Sequence, residues 1–360
     1  MLLKILLIFV PVAFVLEYMD ASPTLIFLAS ALAIVPLAGW LSRATEELAA
    51  HVGATLGGLL NATFGNATEL IIAFFALSVG QVEVVKASII GSIIGNILLV
   101  LGLAAFLGGR RHLRLVYNEE NIKVLSSMLV ISIIGFIVPA IFDFSERVHF
   151  ALPEQQSLVM DQRLALGVSI VLIALYIGNL VFSFGSHKDI LSSGEAGELT
   201  AESWSITRAI TVLLLATVLV AFMSEALVGA LEGFTGAIGL SASFVGLIII
   251  PVVGNAAEHA SAITFALKNK MDLAVTIAIG SAIQIALLVA PLLVLLSWVI
   301  QKPMDLVLHS PLELAALVGS VLIGNSIARD GETNWYEGLM LLGVYAILAL
   351  AFFFAPTGSA

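Results

Sequence analysis

Long apolar runs recur along the whole of this 360-residue chain, and they restrict its fold more than any other feature. A run of about 20 apolar residues is long enough for a helix to cross the hydrocarbon core of a bilayer. Hydrophobic residues make up 60% of the sequence and charged residues 11%, which excludes an ordinary soluble domain. Because the runs are continuous rather than alternating, helices are favoured over a membrane barrel. We therefore expect an all-α integral membrane protein.

Charged and turn-forming residues divide these runs into eleven predicted transmembrane helices. They cover approximately residues 3–19, 23–42, 53–80, 86–108, 123–142, 163–185, 207–231, 239–267, 271–300, 309–328 and 335–355. The first 20 residues are also similar to a signal peptide, but no Ala-x-Ala cleavage pattern follows them. We interpret residues 1–20 as a peripheral first helix.

The other ten helices contain an internal duplication. The string GNATE at Gly65–Glu69 recurs as GNAAE at Gly254–Glu258, and the pair Gly91-Ser92 recurs at the same offset as Gly280-Ser281. Self-similar halves are typical of secondary transporters. The predicted units are a five-helix repeat at 21–186, an acidic cytoplasmic linker at 187–206 and a second five-helix repeat at 207–360. Because five is odd, the two repeats should enter the membrane in opposite orientations.

The basic residues predict the orientation of the chain in a cell membrane. Of the 15 Lys and Arg residues, only four fall on the side away from the N-terminus. These are Lys86, Arg147, Arg163 and Lys302. Since cytoplasmic loops are enriched in Lys and Arg, we expect a multi-pass protein with its N-terminus in the cytoplasm and its C-terminus on the extracytoplasmic side.

Glu69 and Glu258 are the strongest candidates for function, because each lies inside an apolar run at an equivalent repeat position. A charge at the bilayer centre costs about 2.5–3.5 kcal/mol on insertion scales and usually lines an ion path. In an inverted repeat the two acids should face each other near the midplane. Two such carboxylates require either a cation between them or a bound proton. The alternative is that each glutamate only hydrogen-bonds a neighbouring helix.

Further polar residues surround the two acids in the sequence. Asn66 and Asn255 precede them by three residues and so share their helix face. The following predicted helices contribute four more candidates, which are Ser92, Asn96, Ser281 and Gln284. Carboxylate, amide and carbonyl oxygens suit calcium better than zinc or copper, and the chain has no cysteine. For these four the alternative of plain interhelical hydrogen bonding stays open.

Other acidic or titratable residues have less certain roles. Glu225 could gate or pair helices, and His259 could orient a neighbour, move protons or simply pack. The acids between residues 143 and 162 could attract cations, but a solvated outer loop would explain them equally well. The acidic linker could likewise be a solvated segment or a surface helix, or it could have a calcium-sensing or gating role.

The strings GNATE and GNAAEH, followed by GSIIGN and GSAIQI, resemble those of the calcium/proton antiporters of the cation/proton exchanger (CAX) family. The resemblance covers both repeats. It implies calcium exchange for protons, with Glu69 and Glu258 shared by the two ions and with Asn66, Asn255 and Gln284 in support. Sodium/calcium exchangers have Thr-Ser where this chain has Asn-Ala, which argues against sodium as the driving ion.

We therefore expect a secondary active antiporter, not an enzyme, that works by alternating access. Calcium ions, protons and the lipid bilayer are the expected partners, with no cofactor and no nucleic acid, and the sequence is compatible with a homo-oligomer. Two alternatives are a sodium-driven exchanger of calcium or another divalent cation, and a cation channel. An intramembrane enzyme is disfavoured because no nucleophile accompanies the two carboxylates.

Overall fold

A computed structural model describes residues 2–150, 153–183 and 203–355, and nearly all of these residues are helical. In the first half the elements are α1 (Leu2–Leu6), α2 (Phe9–Tyr18), α3 (Pro23–Phe64), α4 (Ala67–Ser78), α5 (Val82–Ile94), the π-helical turn π1 (Gly95–Val100), α6 (Leu101–Gly109), β1 (Leu115–Val116), α7 (Glu119–Val148) and α8 (Glu154–Val181). In the second half they are α9 (Ile206–Gly229), α10 (Leu231–Ile238), α11 (Ala242–Phe244), π2 (Val245–Ile249), α12 (Ile250–Gly254), α13 (Ala256–Leu267), α14 (Met271–Gln284), π3 (Ile285–Val289), α15 (Ala290–Val299), α16 (Pro311–Ala328), β2 (Glu332–Thr333) and α17 (Trp335–Phe354).

Eight helical segments among the described residues are long and apolar enough to cross a membrane. A ninth is obtained if Leu231–Ile238 and Ala242–Gly254, which meet at a bend of 113°, count as one span. The prediction of an all-helical membrane protein is confirmed at this level. The predicted first span is divided between α1 and α2, and the predicted third span between the end of α3 and α4. Most of the predicted linker at 187–206 lies outside the described residues.

The interpretation of residues 143–162 as a solvated loop is wrong. Helix α7 continues to Val148 and α8 begins at Glu154. Asp143, Glu146 and Asp161 are only 7%, 2% and 1% exposed, respectively. These charges suggest helix ends in the sequence, whereas in the structure the helices continue because Asp143 and Glu146 have partners at the shared end of α7 and α8.

Matching breaks interrupt the chain at the two duplicated strings. Helix α3 ends at Phe64 and α4 begins at Ala67, while α12 ends at Gly254 and α13 begins at Ala256. The residues at the breaks, Asn66 and Asn255, have ψ angles of 26° and 12°, which interrupt regular helix geometry. Both duplicated glutamates consequently fall in the first turn of a new helix. A helix N-terminus stabilises negative charge, so each break provides a favourable place for an acid.

Gly91 brings the two halves into close backbone contact. A Cβ atom added at Gly91 would lie only 2.0 Å from the carbonyl oxygen of Leu247, so no larger residue fits without moving a backbone. A second close approach lies beside it, where a Cβ on Gly246 would lie 2.8 Å from Cβ of Ala87. Together these glycines let α5 pass against π2, which leads directly into the break at Asn255.

We expect Gly91→Ala to destabilise the folded protein, because the added methyl group collides with main-chain atoms that cannot rotate away. Overpacking of this kind costs about 1–3 kcal/mol. Gly280→Ala is the matched control, since Gly280 occupies the equivalent repeat position and has nothing within 4 Å of an added Cβ. Thermal unfolding of the purified protein in detergent checks the pair. Equal melting temperatures for the two variants would contradict the close approach.

A short antiparallel ladder also joins the halves, and it is a small exception to the all-helical prediction. Strand β1 pairs with β2 through Leu115 opposite Thr333 and Val116 opposite Glu332. The adjacent Tyr117 hydroxyl donates to the carbonyl of Glu332 at 3.1 Å. Burial, aided by nearby carboxylates, raises the pKa of the Tyr117 hydroxyl, so this donor stays protonated and the link persists over the physiological pH range.

Candidate ion-binding site at the paired helix breaks

Six polar side chains from both halves form one continuous hydrogen-bond network at the helix breaks. They are Asn66, Ser92, Asn96, Asn255, Ser281 and Gln284. Asn66 Nδ2 donates to Gln284 Oε1 at 2.5 Å, and Asn66 Oδ1 accepts from Ser281 Oγ at 2.9 Å. Ser281 Oγ in turn accepts from Asn96 Nδ2 at 2.9 Å. These bonds connect the first break to α14 and π1.

The second break completes the network. Asn255 Nδ2 donates to Ser92 Oγ at 3.1 Å and to the Pro251 carbonyl oxygen at 3.0 Å. Asn255 Oδ1 accepts from Asn96 Nδ2 at 3.4 Å. The network links the two breaks to each other across both halves, and it contains all six amide and hydroxyl residues that the sequence nominated. Among the described residues, Asn96 Oδ1 has no hydrogen-bond partner, so the network keeps one free acceptor.

Glu69 and Glu258 lie beside this network and close to each other. Glu69 packs against Gly254, where an added Cβ would lie 3.4 Å from Glu69 Oε1. Glu258 is within electrostatic range of Glu69 and within hydrogen-bond reach of Ser281. Since Ser281 has one hydroxyl hydrogen, it can donate a hydrogen bond to either Glu258 or Asn66, but not to both at once. The structure thus brings together all eight residues that the sequence selected.

Among the residues that the structure describes, each of the two carboxylates keeps one buried oxygen with no hydrogen-bond partner. These atoms are Glu69 Oε2 and Glu258 Oε2. A buried polar atom without a partner is costly, and a buried carboxylate is more costly still. The site is therefore incomplete as it stands, and either a cation or a proton would complete it.

A cavity of about 380 Å³ reaches Glu258 but not Glu69. Its lining also includes Thr68, Gln284, Asn61 and Glu46. Glu69 instead borders a narrow pocket of about 10 Å³, next to Ser88 and Ser92, which has room for about one water molecule. The two acids thus have unequal access, although they occupy equivalent repeat positions.

The cavity opens at a definite end of the bundle. Its lining includes Leu125 and Met128 from the first part of α7, and Asn179 and Ser183 from the last part of α8 and just beyond it. These helix ends belong to the side on which the sequence places most of the Lys and Arg residues.

Two further acids differ in their relation to this site. Glu225 has an exposed side chain and does not line the cavity. Glu46, on α3, does line the cavity. Thr68 was also missed as a candidate, although it is part of the duplicated string. The duplication gives little indication of a role for Thr68, because the equivalent residue in the second half is the apolar Ala257.

The donor set at the site consists mainly of oxygen atoms. The described part of the chain contains no group of three or more His, Cys, Asp or Glu side chains arranged to hold a metal. A cation beside Glu69 and Glu258 would therefore need amide, hydroxyl or main-chain oxygens as its remaining ligands. Such mixed oxygen sets are those that calcium accepts.

Comparisons with known proteins agree over nearly the full chain. The sodium/calcium exchanger protein family matches residues 22–185 and 208–354. A Ca(2+)/H(+) antiporter of Synechocystis sp. is 46% identical, with 98% of this chain and 97% of that protein covered. The Ca(2+)/H(+) antiporter ChaA of Bacillus subtilis is 41% identical, with 96% of each chain covered.

A solved structure supports the same assignment. The structure of native YfkE superposes with a TM-score of 0.83 at 39% identity, covering 98% of this chain and 99% of that chain. The agreement therefore extends from sequence to fold, over both duplicated strings. The chain belongs to the sodium/calcium exchanger protein family and, within that family, to the calcium/proton antiporters.

Proposed function

We propose that this protein exchanges calcium for protons across a membrane by alternating access, with both ions competing for Glu69 and Glu258. The main support is the pair of duplicated acids at the starts of two helices, each with one buried oxygen that lacks a partner. The names of the relatives as Ca(2+)/H(+) antiporters support the choice of ions.

Competition at one site is sufficient to couple the two ions. A calcium ion needs the ionised carboxylates, whereas a bound proton neutralises one of them and weakens the attraction for the metal. The central pair can therefore be occupied by calcium or by protons, but not fully by both. The surrounding amides and hydroxyls would supply further oxygens for calcium and would hold the empty acids in place.

The unequal access to the two acids supports alternating access. In the present conformation the cavity leads to Glu258, while Glu69 faces the narrow pocket. We propose that this is the state open to the cytoplasm, and that the opposite state opens a path to Glu69 and closes the cavity.

We further propose the eleven-span arrangement in a cell membrane. It treats residues 1–20 as a peripheral helix and each broken segment around a duplicated string as one span. Five spans in each half then give two inverted repeats, in 21–186 and 207–360, joined by the linker at 187–206. The matching breaks at Asn66 and Asn255 support this division.

The orientation can be tested by thiol labelling, because the chain has no native cysteine. We expect Arg111→Cys to react with a membrane-impermeant maleimide only in inside-out vesicles, and His149→Cys only in intact cells. Both positions are exposed and lie at opposite ends of the bundle. The reverse pattern would overturn the assignment of the cavity to the cytoplasm.

Calcium uptake into inside-out vesicles tests the function itself. With the proposed coupling, an acidic vesicle interior drives uptake, and collapsing the pH gradient with an ionophore abolishes it. Uptake driven equally well by an imposed sodium gradient would favour the sodium-driven alternative. Calcium flux that follows only the calcium gradient and ignores protons would favour the channel.

A further inference from the structure

A buried group of acids lies at the end of the bundle away from the cavity. It consists of Asp143 and Glu146 from α7, Asp161 from α8 and Asp305 from the segment before α16, and all four side chains are buried. The cavity borders α7 at Met128, 18 residues before Glu146, which corresponds to about 27 Å along a helix. These acids are therefore separate from Glu69 and Glu258, and we refer to the four as the distal acid cluster.

Basic side chains neutralise only part of the negative charge of the distal acid cluster. Arg147 Nε donates to Asp143 Oδ1 at 2.5 Å, and Lys86 Nζ lies 3.3 Å from Asp305 Oδ1. Lys86 also pairs with the exposed Glu83 at 2.8 Å. Two cations thus face four buried acids, while His309 Nδ1 lies farther away, 3.8 Å from Asp143 Oδ2.

The two remaining acids have incomplete hydrogen bonding. Ser157 Oγ donates to Glu146 Oε2 at 2.9 Å, but Glu146 Oε1 is buried with no partner. Asp161 Oδ1 is also buried with no partner, while the Asp161 carboxyl lies within hydrogen-bond reach of Asp143. Two carboxyl groups can share a hydrogen bond only if one of them carries a proton, because ionised carboxylates only accept. A proton on one of the two carboxyl groups would satisfy this contact.

We propose that the distal acid cluster is a second proton-binding site, in which Asp161 and Asp143 share one proton. A proton suits the site better than a metal ion, because Arg147 and Lys86 already pair with Asp143 and Asp305 and would repel a further cation. The charged or titratable groups that face the pair from the packed elements are Glu146, Arg147, Asp305 and His309. Arg147 already pairs with Asp143, and Asp305 already pairs with Lys86.

The shared proton would join the two arms of the α7–α8 hairpin to each other. Asp143 and Asp161 come from the two arms of the hairpin. Next to them, Gln162 Nε2 donates to the Pro303 carbonyl at 3.0 Å, and the same segment continues to Asp305 and its Lys86 partner on α5. Loss of the proton would place two negative charges together in a buried position. Alkaline conditions at this end of the molecule should therefore loosen the hairpin.

Infrared spectroscopy tests the site without relying on transport. The background is the Glu69→Gln and Glu258→Gln double variant, which removes the central acids. We expect this protein, in detergent near neutral pH, to show a carbonyl band of a protonated carboxyl group that shifts on exchange into deuterated water. The band should be lost when Asp161→Asn is added and retained when Glu154→Gln is added, because Glu154 is an exposed acid on the same helix.

Thermal unfolding provides a second readout for the case in which Asp161→Asn folds poorly. A proton bound only in the folded state stabilises it at low pH, and this stabilisation is lost as the pH rises and the proton leaves. The double variant should therefore show a melting temperature that falls on alkalinisation, together with loss of the infrared band. A band that survives Asp161→Asn, or one that calcium or sodium displaces at constant pH, would overturn the proposal. Because the central acids are absent throughout, these results do not depend on the proposed calcium exchange.

Discussion

Replacing Glu258 with glutamine should reduce proton-driven calcium uptake by about 100- to 4,000-fold. Glutamine keeps the shape of the side chain but removes one of the two negative charges that would face a divalent cation. Breaking a buried charge pair costs about 3–5 kcal/mol, and each 1.4 kcal/mol corresponds to a factor of ten. The initial rate of radioactive calcium uptake into inside-out vesicles, normalised to the amount of folded transporter, measures the effect.

Glu69→Gln should have an effect of the same size, although Glu69 does not line the cavity, because both carboxylates are needed for one ion. Glu225→Gln is the matched control, since it removes an acid from an equally apolar helix but at an exposed position. Its uptake should stay close to that of the unchanged protein. Near-normal uptake by either Glu69→Gln or Glu258→Gln would refute the shared site.

The duplicated strings contain enough information to locate the centre of the molecule. Glycine and asparagine followed by a glutamate within an apolar run indicate both a break in the helix and an acid near the start of the next one. For this reason the eight selected residues lie together in the structure, and six of them form one network. Which of the eight contacts the ion depends on the coordination geometry of the ion, which residue spacing along the chain does not specify.

The positions of helix ends were harder to predict because charge is an ambiguous signal. Asp143 and Asp161 look like loop residues when each charge is considered alone, but in the structure the two carboxyls are neighbours. Pairing across α7 and α8 is a tertiary effect that hydropathy does not detect. The unequal access to Glu69 and Glu258 is likewise a property of one conformation, whereas a sequence with two similar halves suggests symmetry.

Asn255→Ala should lower calcium uptake by about 10- to 100-fold while leaving both glutamates in the chain. The substitution removes the donor to Ser92 and the acceptor for Asn96, and a buried group left without its partner costs about 1–3 kcal/mol. Alanine also favours continuous helix, so the break that places Glu258 should tend to close. Asn325→Ala, which truncates a half-buried amide outside the network, should have little effect in the same uptake assay.

A double-mutant cycle separates positioning by the network from a general loss of stability. Ser92→Ala alone should lower uptake because it removes the acceptor of the Asn255 amide. Added to Asn255→Ala, it should cause little further loss, since the bond is already gone and residues that share a contact are not additive. If the two losses instead multiplied, Ser92 and Asn255 would act independently and the network could not be the element that holds the two breaks together. Coupling between them would mean that the position of Glu258 in one half depends on a hydroxyl in the other, as a single site built from both halves requires.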